Sequence, residues 1–160
     1  MTPRTIRQRF LIEARVLEES IGMDRESTVA LFRNLEHPDT HARFFEHVAD
    51  DVDWTVEGTH PLAGRYRSKQ AFLDATFVRL AGVLSDGVHL VVEHVFVDGD
   101  TAIAELYSTS TTNEGAPFDN RYCWVCRFDG ETIVNVRAYL DSTMVMYTVL
   151  RNERPARQHD

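Results

Sequence analysis

Apolar and polar side chains alternate along Val134-Asn135-Val136-Arg137-Ala138-Tyr139-Leu140-Asp141, near the end of the chain. A period of two is typical of a β-strand with one face in the core. The preceding residues show similar apolar runs with short turns between them, which predicts antiparallel hairpins. The predicted strands cover about residues 88–97, 101–112, 117–128 and 131–139. Because several exceed the usual length of about five or six residues, we expect a curved sheet.

Helices are expected before this sheet. Two are predicted at residues 28–35 and 40–48, separated by a His37-Pro38-Asp39 turn whose proline stops the first. A short strand is predicted at 52–57, and Ser68 can cap a third helix. One apolar stripe of that helix contains Leu73, Phe77, Leu80 and Leu84. This order predicts an α+β fold, in which a long meander of mostly antiparallel strands curls around the early helices.

Length and composition indicate one domain. A chain of 160 residues with 43% hydrophobic residues is long enough to bury one core. Residues 1–22 carry apolar residues at near-helical spacing between charges, so we expect an extra amphipathic helix as an N-terminal extension. The main domain is predicted at residues 23–150, and a polar tail at 151–160.

The charge balance argues against nucleic acid as a partner. The formal net charge is −8, from 25 acidic and 17 basic residues, so no phosphate-binding surface is expected. No stretch is apolar enough to span a bilayer, and residues 1–22 lack the apolar core of a secretory signal, which predicts a cytoplasmic protein. Neither a metal nor a cofactor is expected, because His41, Glu46 and His47 are badly spaced for ligands and no glycine-rich phosphate loop occurs.

Cys123 and Cys126 form a C-x-x-C pattern, which in another setting is a redox motif. Within a strand, residues three apart point to opposite faces and lie roughly 10 Å apart. A disulfide requires a much shorter separation. We therefore expect two small apolar strand residues rather than a disulfide.

Three segments carry a resemblance to a known superfamily. They are Ala49-Asp50-Asp51-Val52-Asp53-Trp54-Thr55-Val56-Glu57-Gly58, then Gly64-Arg65-Tyr66-Arg67-Ser68-Lys69, and the closing residues 127–141. Through them, about residues 24–147 resemble the nuclear transport factor 2-like superfamily, in its SnoaL-like or ketosteroid-isomerase-like branch. The resemblance implies a cystatin-like α+β barrel, in which a cone-shaped, mixed, mostly antiparallel sheet wraps around three N-terminal helices. This fold hosts isomerases, cyclases, epoxide hydrolases, dehydratases and non-catalytic proteins. We also expect a homodimer formed through the sheet.

The acids of the family's enzymes are replaced in this chain. Gly58 corresponds to the general-base aspartate of the ketosteroid isomerases, and Trp124 to their oxyanion-binding acid. Ala138 corresponds to the acids of the limonene-epoxide-hydrolase and SnoaL types. An indole N–H donates a hydrogen bond but is no carboxylic acid. The resemblance therefore implies a pocket without the family's known acids.

The same alignment, with alternation of faces along each strand, places a set of side chains in the pocket. The predicted ligand-binding residues are Trp54, Val56, Asn120, Tyr122, Trp124 and Ala138. Further inward positions are Cys126, Val134, Val136 and Leu140. The lining is mainly aromatic and aliphatic, with the Asn120 amide, the Tyr122 hydroxyl and the Trp124 N–H as polar points. Such a lining suits a flat, small hydrophobic ligand.

Two titratable residues are candidate catalytic groups. His60 follows the first strand at the lip of the pocket, and imidazole takes up a proton near neutral pH. The alternative is a solvated loop histidine. Asp141 closes the last strand, and its carboxylate either faces the cavity or caps the following turn or pairs with an arginine such as Arg137.

The register of two central strands is left open by the sequence. Glu93 and His94 are neighbours on one strand, and Glu105 lies on the next. A carboxylate buried here without a partner would have a raised pKa and could act as a base. The alternative is an outward carboxylate paired with arginine or lysine.

Three functional hypotheses follow. The first is a cofactor-free isomerase, cyclase or lyase acting on a hydrophobic carbonyl compound, in which His60 or Asp141 moves a proton. In this hypothesis the oxyanion is held by Tyr122, Asn120 and Trp124. The second is a non-catalytic protein that binds a hydrophobic ligand. The third is a protein-interaction module that uses the outer face of the sheet.

Overall fold

The computed structural model describes residues 23–153. The predicted helical extension at 1–22 and most of the predicted polar tail, residues 154–160, lie outside this range. Within it, no helix has the length and apolar character needed to cross a membrane.

Five α-helices occur in the described part of the chain. They are α1 (Arg25–Arg33), α2 (His41–Glu46), α3 (Lys69–Leu73), α4 (Arg79–Val83) and α5 (Ser142–Asn152). A π-helical turn, Asp74–Val78, joins α3 to α4 without a break. The predicted cap of this helix is confirmed, because Ser68 Oγ accepts a hydrogen bond from the Ala71 N–H at 3.1 Å.

Six strands form one mixed sheet in the order β2-β1-β8-β7-β4-β3. They are β1 (Val48–Val56), β2 (Gly64–Tyr66), β3 (Leu90–Asp98), β4 (Thr101–Ser108), β7 (Arg121–Asp129) and β8 (Thr132–Leu140). Strands β1 and β8 run parallel, and the other neighbours are antiparallel. Register shifts along three of these pairs bend the sheet. The expected α+β fold with a curved, mostly antiparallel sheet is confirmed.

A separate two-stranded hairpin interrupts the sequence between β4 and β7. It consists of β5 (Ser110–Thr111) and β6 (Pro117–Phe118). The strands predicted at 101–112 and 117–128 are therefore each broken, and the prediction of two unbroken strands was wrong. At the break the Thr109 N–H donates to the His89 carbonyl at 3.0 Å, outside the ladder. Such tertiary backbone bonds compete with strand pairing and leave no mark in local alternation.

The first strand begins at Val48, earlier than the predicted 52–57, so the helix predicted to reach residue 48 ends at Glu46. Val48 pairs with Ile133 of β8, whose N–H donates to the His47 carbonyl at 2.7 Å. This pairing joins distant parts of the chain. Pairing with β8 therefore overrides the local pattern that predicted helix up to residue 48.

Helix α5 is absent from the expectations drawn from sequence. It begins after Asp141 and includes Arg151 and Asn152, the first residues of the predicted tail. Val145, Thr148 and Val149 are its buried residues, at the spacing of one helical face. The helix therefore adds a further wall to the interior.

An aromatic cluster fills the core between the helices and the sheet. Trp54 stacks on Phe72 with ring centroids 3.7 Å apart, and meets Trp124 edge-on at 5.3 Å. Phe44 and Phe45 of α2 pack on the two tryptophans. Offset and edge-on contacts of this kind stabilise a core beyond the area that they bury.

The two cysteines lie on opposite faces of β7, as predicted. Cys126 is buried, Cys123 is half-buried, and both are free thiols. Burial raises the pKa of both thiols, so they stay protonated near neutral pH. The C-x-x-C pattern is therefore structural here.

Candidate functional site

A cavity of about 40 Å³ lies between the inner face of the sheet and the helix formed by α3 and α4. The sheet contributes Val56, Leu90, Tyr122, Trp124, Ala138 and Leu140. The opposite side is formed by Phe72, Thr76, Phe77 and Leu80, with Leu62, Val88 and Val145 at the edges. The Thr76 hydroxyl donates to the Phe72 carbonyl at 2.7 Å. The Tyr122 hydroxyl and the Trp124 indole N–H are thus the side-chain polar groups of the described lining that remain for a ligand.

Four of the six predicted ligand-binding residues lie on the cavity wall, namely Val56, Tyr122, Trp124 and Ala138. Trp54 is fully buried behind that wall, against Phe72 and Trp124. Its Nε1 atom is buried without a hydrogen-bond partner among the described residues. Asn120 lies beside the wall.

The Asn120 amide has a fixed orientation. Its Oδ1 atom accepts hydrogen bonds from the Arg121 N–H at 2.9 Å and the Asp141 N–H at 3.1 Å. Because both neighbours are donors, the oxygen must face them and the NH₂ group must point away. Nδ2 is buried and faces the Tyr122 hydroxyl oxygen, but forms no hydrogen bond of normal geometry within residues 23–153. A buried, unpaired donor of this kind is uncommon and calls for an acceptor.

The Asn120 side chain lies against the Tyr122 hydroxyl. Burial raises the pKa of Tyr122, and the contact with Asn120 lowers it by a smaller amount. The phenol therefore stays protonated near neutral pH and acts as a hydrogen-bond donor rather than as a base. The two side chains together make the polar end of the cavity.

His60 does not line the cavity. Its ring is only 6% exposed, so the alternative of a solvated loop histidine was wrong. Nε2 lies 3.0 Å from the Glu57 carbonyl, and Nδ1 accepts a hydrogen bond from the Leu62 N–H at 3.2 Å. These contacts assign the proton to Nε2. Both ring nitrogens are occupied, and the ring holds the loop of residues 57–63 in shape.

The structure leaves no room for a side chain at Gly58, the position that the resemblance assigns to the base of the ketosteroid isomerases. The φ angle of Gly58 is +115°, and a Cβ atom built there would lie 2.5 Å from Ser142 Oγ and 2.9 Å from His60 Cδ2. A side chain at this position would be strained and would collide with the start of α5. The loop and α5 therefore meet closely at this glycine.

Asp141 is the N-cap of α5. Its Oδ1 atom accepts hydrogen bonds from the Thr143 N–H at 3.0 Å and the Met144 N–H at 3.2 Å. The capping alternative is confirmed. The carboxylate is absent from the lining of the cavity.

The sequence did not decide which way Glu93, His94 and Glu105 face. In the structure all three lie on the outer face of the sheet. Glu93 pairs with Arg121 at 2.8 Å, and His94 pairs with Glu105 at 3.0 Å. All four side chains are substantially exposed. The alternative of an outward carboxylate paired with arginine is confirmed for Glu93, whereas Glu105 faces outward but pairs with His94. In the described residues no group of three or more His, Cys, Asp or Glu could hold a metal ion.

Sequence reasoning missed part of the wall. Phe77 and Leu80 were recognisable from the helical stripe, although only as core residues. Leu62 and Val145 come from a loop and from the unexpected helix α5. The spacing of Val145, Thr148 and Val149 was the one local signal for that helix.

Comparison with known proteins agrees with this geometry. Residues 29–136 match the SnoaL-like domain family. The dimerizing cyclase phiC of a fungal species (strain ATCC 74256) is 32% identical over 127 residues, which cover 77% of this chain and 55% of that protein. The dimerizing cyclase tstC of Talaromyces stipitatus is 32% identical over 139 residues, or 84% of this chain and 54% of that protein. The chain thus spans about half the length of these relatives.

The fold is also found among solved structures. The crystal structure of an NTF2-like protein from Burkholderia thailandensis is 27% identical, with a TM-score of 0.58. The match covers 71% of this chain and 85% of that one. The matched domain, the related sequences and the curved sheet over a cavity agree, and the chain belongs to the SnoaL-like family of the nuclear transport factor 2-like superfamily.

Proposed function

We propose that this chain is a cofactor-free cyclase or isomerase that acts on a neutral, hydrophobic carbonyl compound. The observation that carries the proposal is the buried Asn120 amide, whose unpaired Nδ2 lies beside the Tyr122 hydroxyl on the cavity wall. The names of the two fungal relatives support ring-forming chemistry. Because the chain spans about half of those proteins, the activity is proposed for this domain alone.

The polar end of the cavity selects an acceptor. A carbonyl oxygen placed there accepts hydrogen bonds from both the Tyr122 hydroxyl and the Asn120 amide. No Asp, Glu, Lys or Arg occurs among the described lining residues, so a charged ligand would lose its hydration without gaining a counter-charge. The rest of the ligand packs on Trp124, Phe72 and Ala138. The substrate is therefore a largely apolar compound with a carbonyl at one end.

Hydrogen bonds to the carbonyl oxygen stabilise the negative charge that develops there in the transition state. In an isomerisation, the α C–H proton passes to a base, for which His60 and Asp141 are the predicted candidates, the enolate oxygen carries the charge, and the base returns the proton to another carbon. In a ring closure, an enol carbon attacks the carbonyl carbon, and the carbonyl π electrons move to oxygen. That oxygen then takes the proton that the enol loses. Both reactions balance without an oxidant, a reductant or a second substrate.

Proton transfer by His60 or Asp141 stays a prediction. His60 would first have to release the Leu62 N–H, and the Asp141 carboxylate is engaged with α5. These contacts favour positioning roles for both residues. We propose that His60 holds the loop that brings Leu62 to the cavity wall.

A thermal-shift screen of the purified chain tests the proposal. Steroids, polyketide-like aromatics, terpenoid epoxides and fatty acyl compounds would be tried, because a bound ligand raises the melting temperature by mass action. We expect a shift with a neutral carbonyl compound, turnover of that compound, and loss of turnover in Tyr122→Phe. The same screen with His60→Ala shows whether the imidazole is required. Binding of charged ligands only would contradict the proposal.

A second candidate function is non-catalytic binding of the same class of ligand. It is favoured by one observation, that Tyr122 is the single titratable group in the described lining. A ligand that shifts the melting temperature and is recovered unchanged would support this function over catalysis. The ligand contacts would be the same.

We also propose that the outer face of the sheet binds a second copy of the chain. Phe96, Ile103 and Tyr139 are large apolar residues exposed on this face. Phe96 pairs with Ile103, and Ile103 with Val125, so an apolar row crosses three strands. Contiguous exposed apolar surface is typical of an interface.

Charges flank this row on both sides. Glu93, Glu105 and Arg121 lie towards one end of the strands and Asp98 and Arg127 towards the other, while Arg137 lies level with Ile103, opposite Val125. A two-fold axis through Ile103 would bring the apolar rows of two copies into contact. Sedimentation of the wild type and Ile103→Arg tests this arrangement. We expect a dimer and a monomer respectively, and a monomeric wild type at all concentrations would contradict it.

A further inference from the structure

The cavity is smaller than the ligand that is proposed to enter it. Its volume is about 40 Å³, whereas pockets for small molecules measure about 300–1,000 Å³. The walls contributed by the sheet are held by ladder hydrogen bonds along whole strands. The other walls are the helix α3–α4, the loop of residues 57–63 with Leu62, and α5 with Val145. Some of these must move apart before a ligand enters.

One side chain bonds to all of these movable walls. Arg79 belongs to α4, and its Nη1 donates to the Pro61 carbonyl of the loop at 2.9 Å. Its Nε and Nη2 donate to the two carboxylate oxygens of Glu153, just after α5, at 2.7 and 2.9 Å. Three donors of one rigid, planar group are thus in use at once. A guanidinium suits this geometry, and an ammonium does not.

We infer that Arg79 is a positioning residue that holds the cavity closed, by tying the loop of residues 57–63 and α5 to α4, and that its release admits the ligand. This inference rests on the proposed function, because it concerns entry to the same cavity. The pair is charged near neutral pH, since Glu153 raises the pKa of Arg79 and Arg79 lowers that of Glu153.

The other hydrogen bonds of the described residues do not tie the loop to a helix. The turn between β5 and β6 joins α4 to α5, because Asn113 Nδ2 donates to the Gly82 carbonyl at 2.8 Å and the Glu114 N–H donates to Asn152 Oδ1 at 2.9 Å. The His60 bonds hold the shape of the loop itself, and the hydrogen bond from the Tyr66 hydroxyl to the Leu62 carbonyl, at 2.8 Å, joins the loop to β2. Arg151 pairs with Glu114 at 3.2 Å and joins α5 to the turn between β5 and β6. Arg151 is more exposed than Arg79, 63% against 34%, and its pair with Glu114 touches neither the loop nor α4. Arg151→Gln is therefore a matched control for Arg79→Gln.

Hydrogen exchange on the full chain tests the coupling without any ligand. In Arg79→Gln we expect the amides of Leu62 and Ala63 and those of α5 to exchange about three- to tenfold faster, because local opening becomes easier. In Arg151→Gln we expect faster exchange in α5 only. Unchanged loop exchange in Arg79→Gln, or equal loop exchange in both variants, would overturn the inference.

A neutral dye tests the consequence for entry. Nile red is mixed with each variant, and the fluorescence gain gives the association rate. We expect association about three- to tenfold faster with Arg79→Gln than with the wild type or Arg151→Gln. Arg79→Lys should lie between, because an ammonium keeps the charge but not all three bonds.

Ala138→Phe, which fills the cavity, distinguishes a failure of the inference about Arg79 from a failure of the proposed function. If it abolishes dye binding in the Arg79→Gln background, the dye reports on the cavity. Equal association rates for wild type and Arg79→Gln would then overturn the proposed role of Arg79 and leave the proposed function intact. Faster hydrogen exchange in Arg79→Gln, without dye binding by any variant, would support the role of Arg79 and contradict the proposal that the cavity binds a ligand.

Discussion

Oδ1 of Asn120 accepts a hydrogen bond from the backbone N–H of Asp141 at 3.1 Å, which joins the residue before β7 to the residue after β8. The carboxylate of Asp141 in turn caps α5. The amide beside Tyr122 and the helix that supplies Val145 to the cavity therefore share one anchor. The orientation of the Asn120 amide and the position of α5 therefore both depend on the contact between Asn120 and Asp141.

Replacing Asn120 separates its two roles. Asn120→Leu removes the side-chain acceptor of the Arg121 and Asp141 N–H groups, and Asp141 keeps only its longer bond to the Arg121 carbonyl at 3.3 Å. We expect a loss of about 1–3 kcal/mol in the free energy of unfolding. Asn120→Asp retains an acceptor for both groups but removes the NH₂ donor. At pH 8 it should fold more stably than Asn120→Leu and bind the carbonyl ligand no better. Urea unfolding and ligand titration measure the two effects, and tight binding by Asn120→Asp would contradict the donor role.

Tyr122→Phe should affect binding more than folding. The substitution removes one hydroxyl and preserves the ring that packs on the cavity wall. We expect ligands with a carbonyl or hydroxyl to bind more weakly by about 0.5–1.5 kcal/mol, the value of one hydrogen bond. Calorimetric titration measures this loss, and a hydrocarbon of the same shape is the control. Equal affinity of wild type and variant for the carbonyl ligand would exclude the hydroxyl from binding.

Asp141 offers a direct test of capping against catalysis. Asp141→Asn keeps a side-chain oxygen for the Thr143 and Met144 N–H groups, whereas Asp141→Ala removes it. We expect Asp141→Ala to cost about 0.5–2 kcal/mol of stability and Asp141→Asn much less. Thermal unfolding provides the comparison. If Asp141 acts only as the cap of α5, Asp141→Asn retains turnover. A stable but inactive Asp141→Asn would instead identify Asp141 as a catalytic carboxylate.

The ion pair between Asp53 and Arg65 should make the edge of the sheet sensitive to acid. Arg65 Nε donates to Asp53 Oδ1 at 2.7 Å, and this bond lowers the pKa of Asp53 below its ordinary value of 3.8. A lowered folded-state pKa contributes stability above the unfolded value, and the contribution is lost as pH falls through the folded value. Asp53→Asn should therefore melt lower than wild type at pH 5–7, and the difference should shrink at lower pH.

Asp51→Asn is the control for that experiment. Asp51 is exposed on the same strand and forms no ion pair among the described residues. Melting curves recorded from pH 7 down to pH 2.5 should show little difference between Asp51→Asn and the wild type. A constant gap between Asp53→Asn and the wild type over the whole range would show that the pair is not the cause.

Much of the sheet and of the cavity wall was predictable from local pattern. Alternation of faces placed Val56, Tyr122, Trp124 and Ala138 on the side of the sheet that lines the cavity. Local pattern works here because the period of a strand is a property of the backbone. The same reasoning failed at residues 109–120, where tertiary backbone bonds break two long strands into four.

By itself the sequence determined the α+β order of elements, the inward face of the late strands and the apolar character of the cavity, because these follow from periodicity and composition. The tertiary structure decided the parallel pairing of β1 with β8, the burial of His60 and the capping role of Asp141. It also decided the direction of the Asn120 amide. Each of these depends on which hydrogen-bonding groups meet across long stretches of chain, and a local pattern carries no information about such meetings.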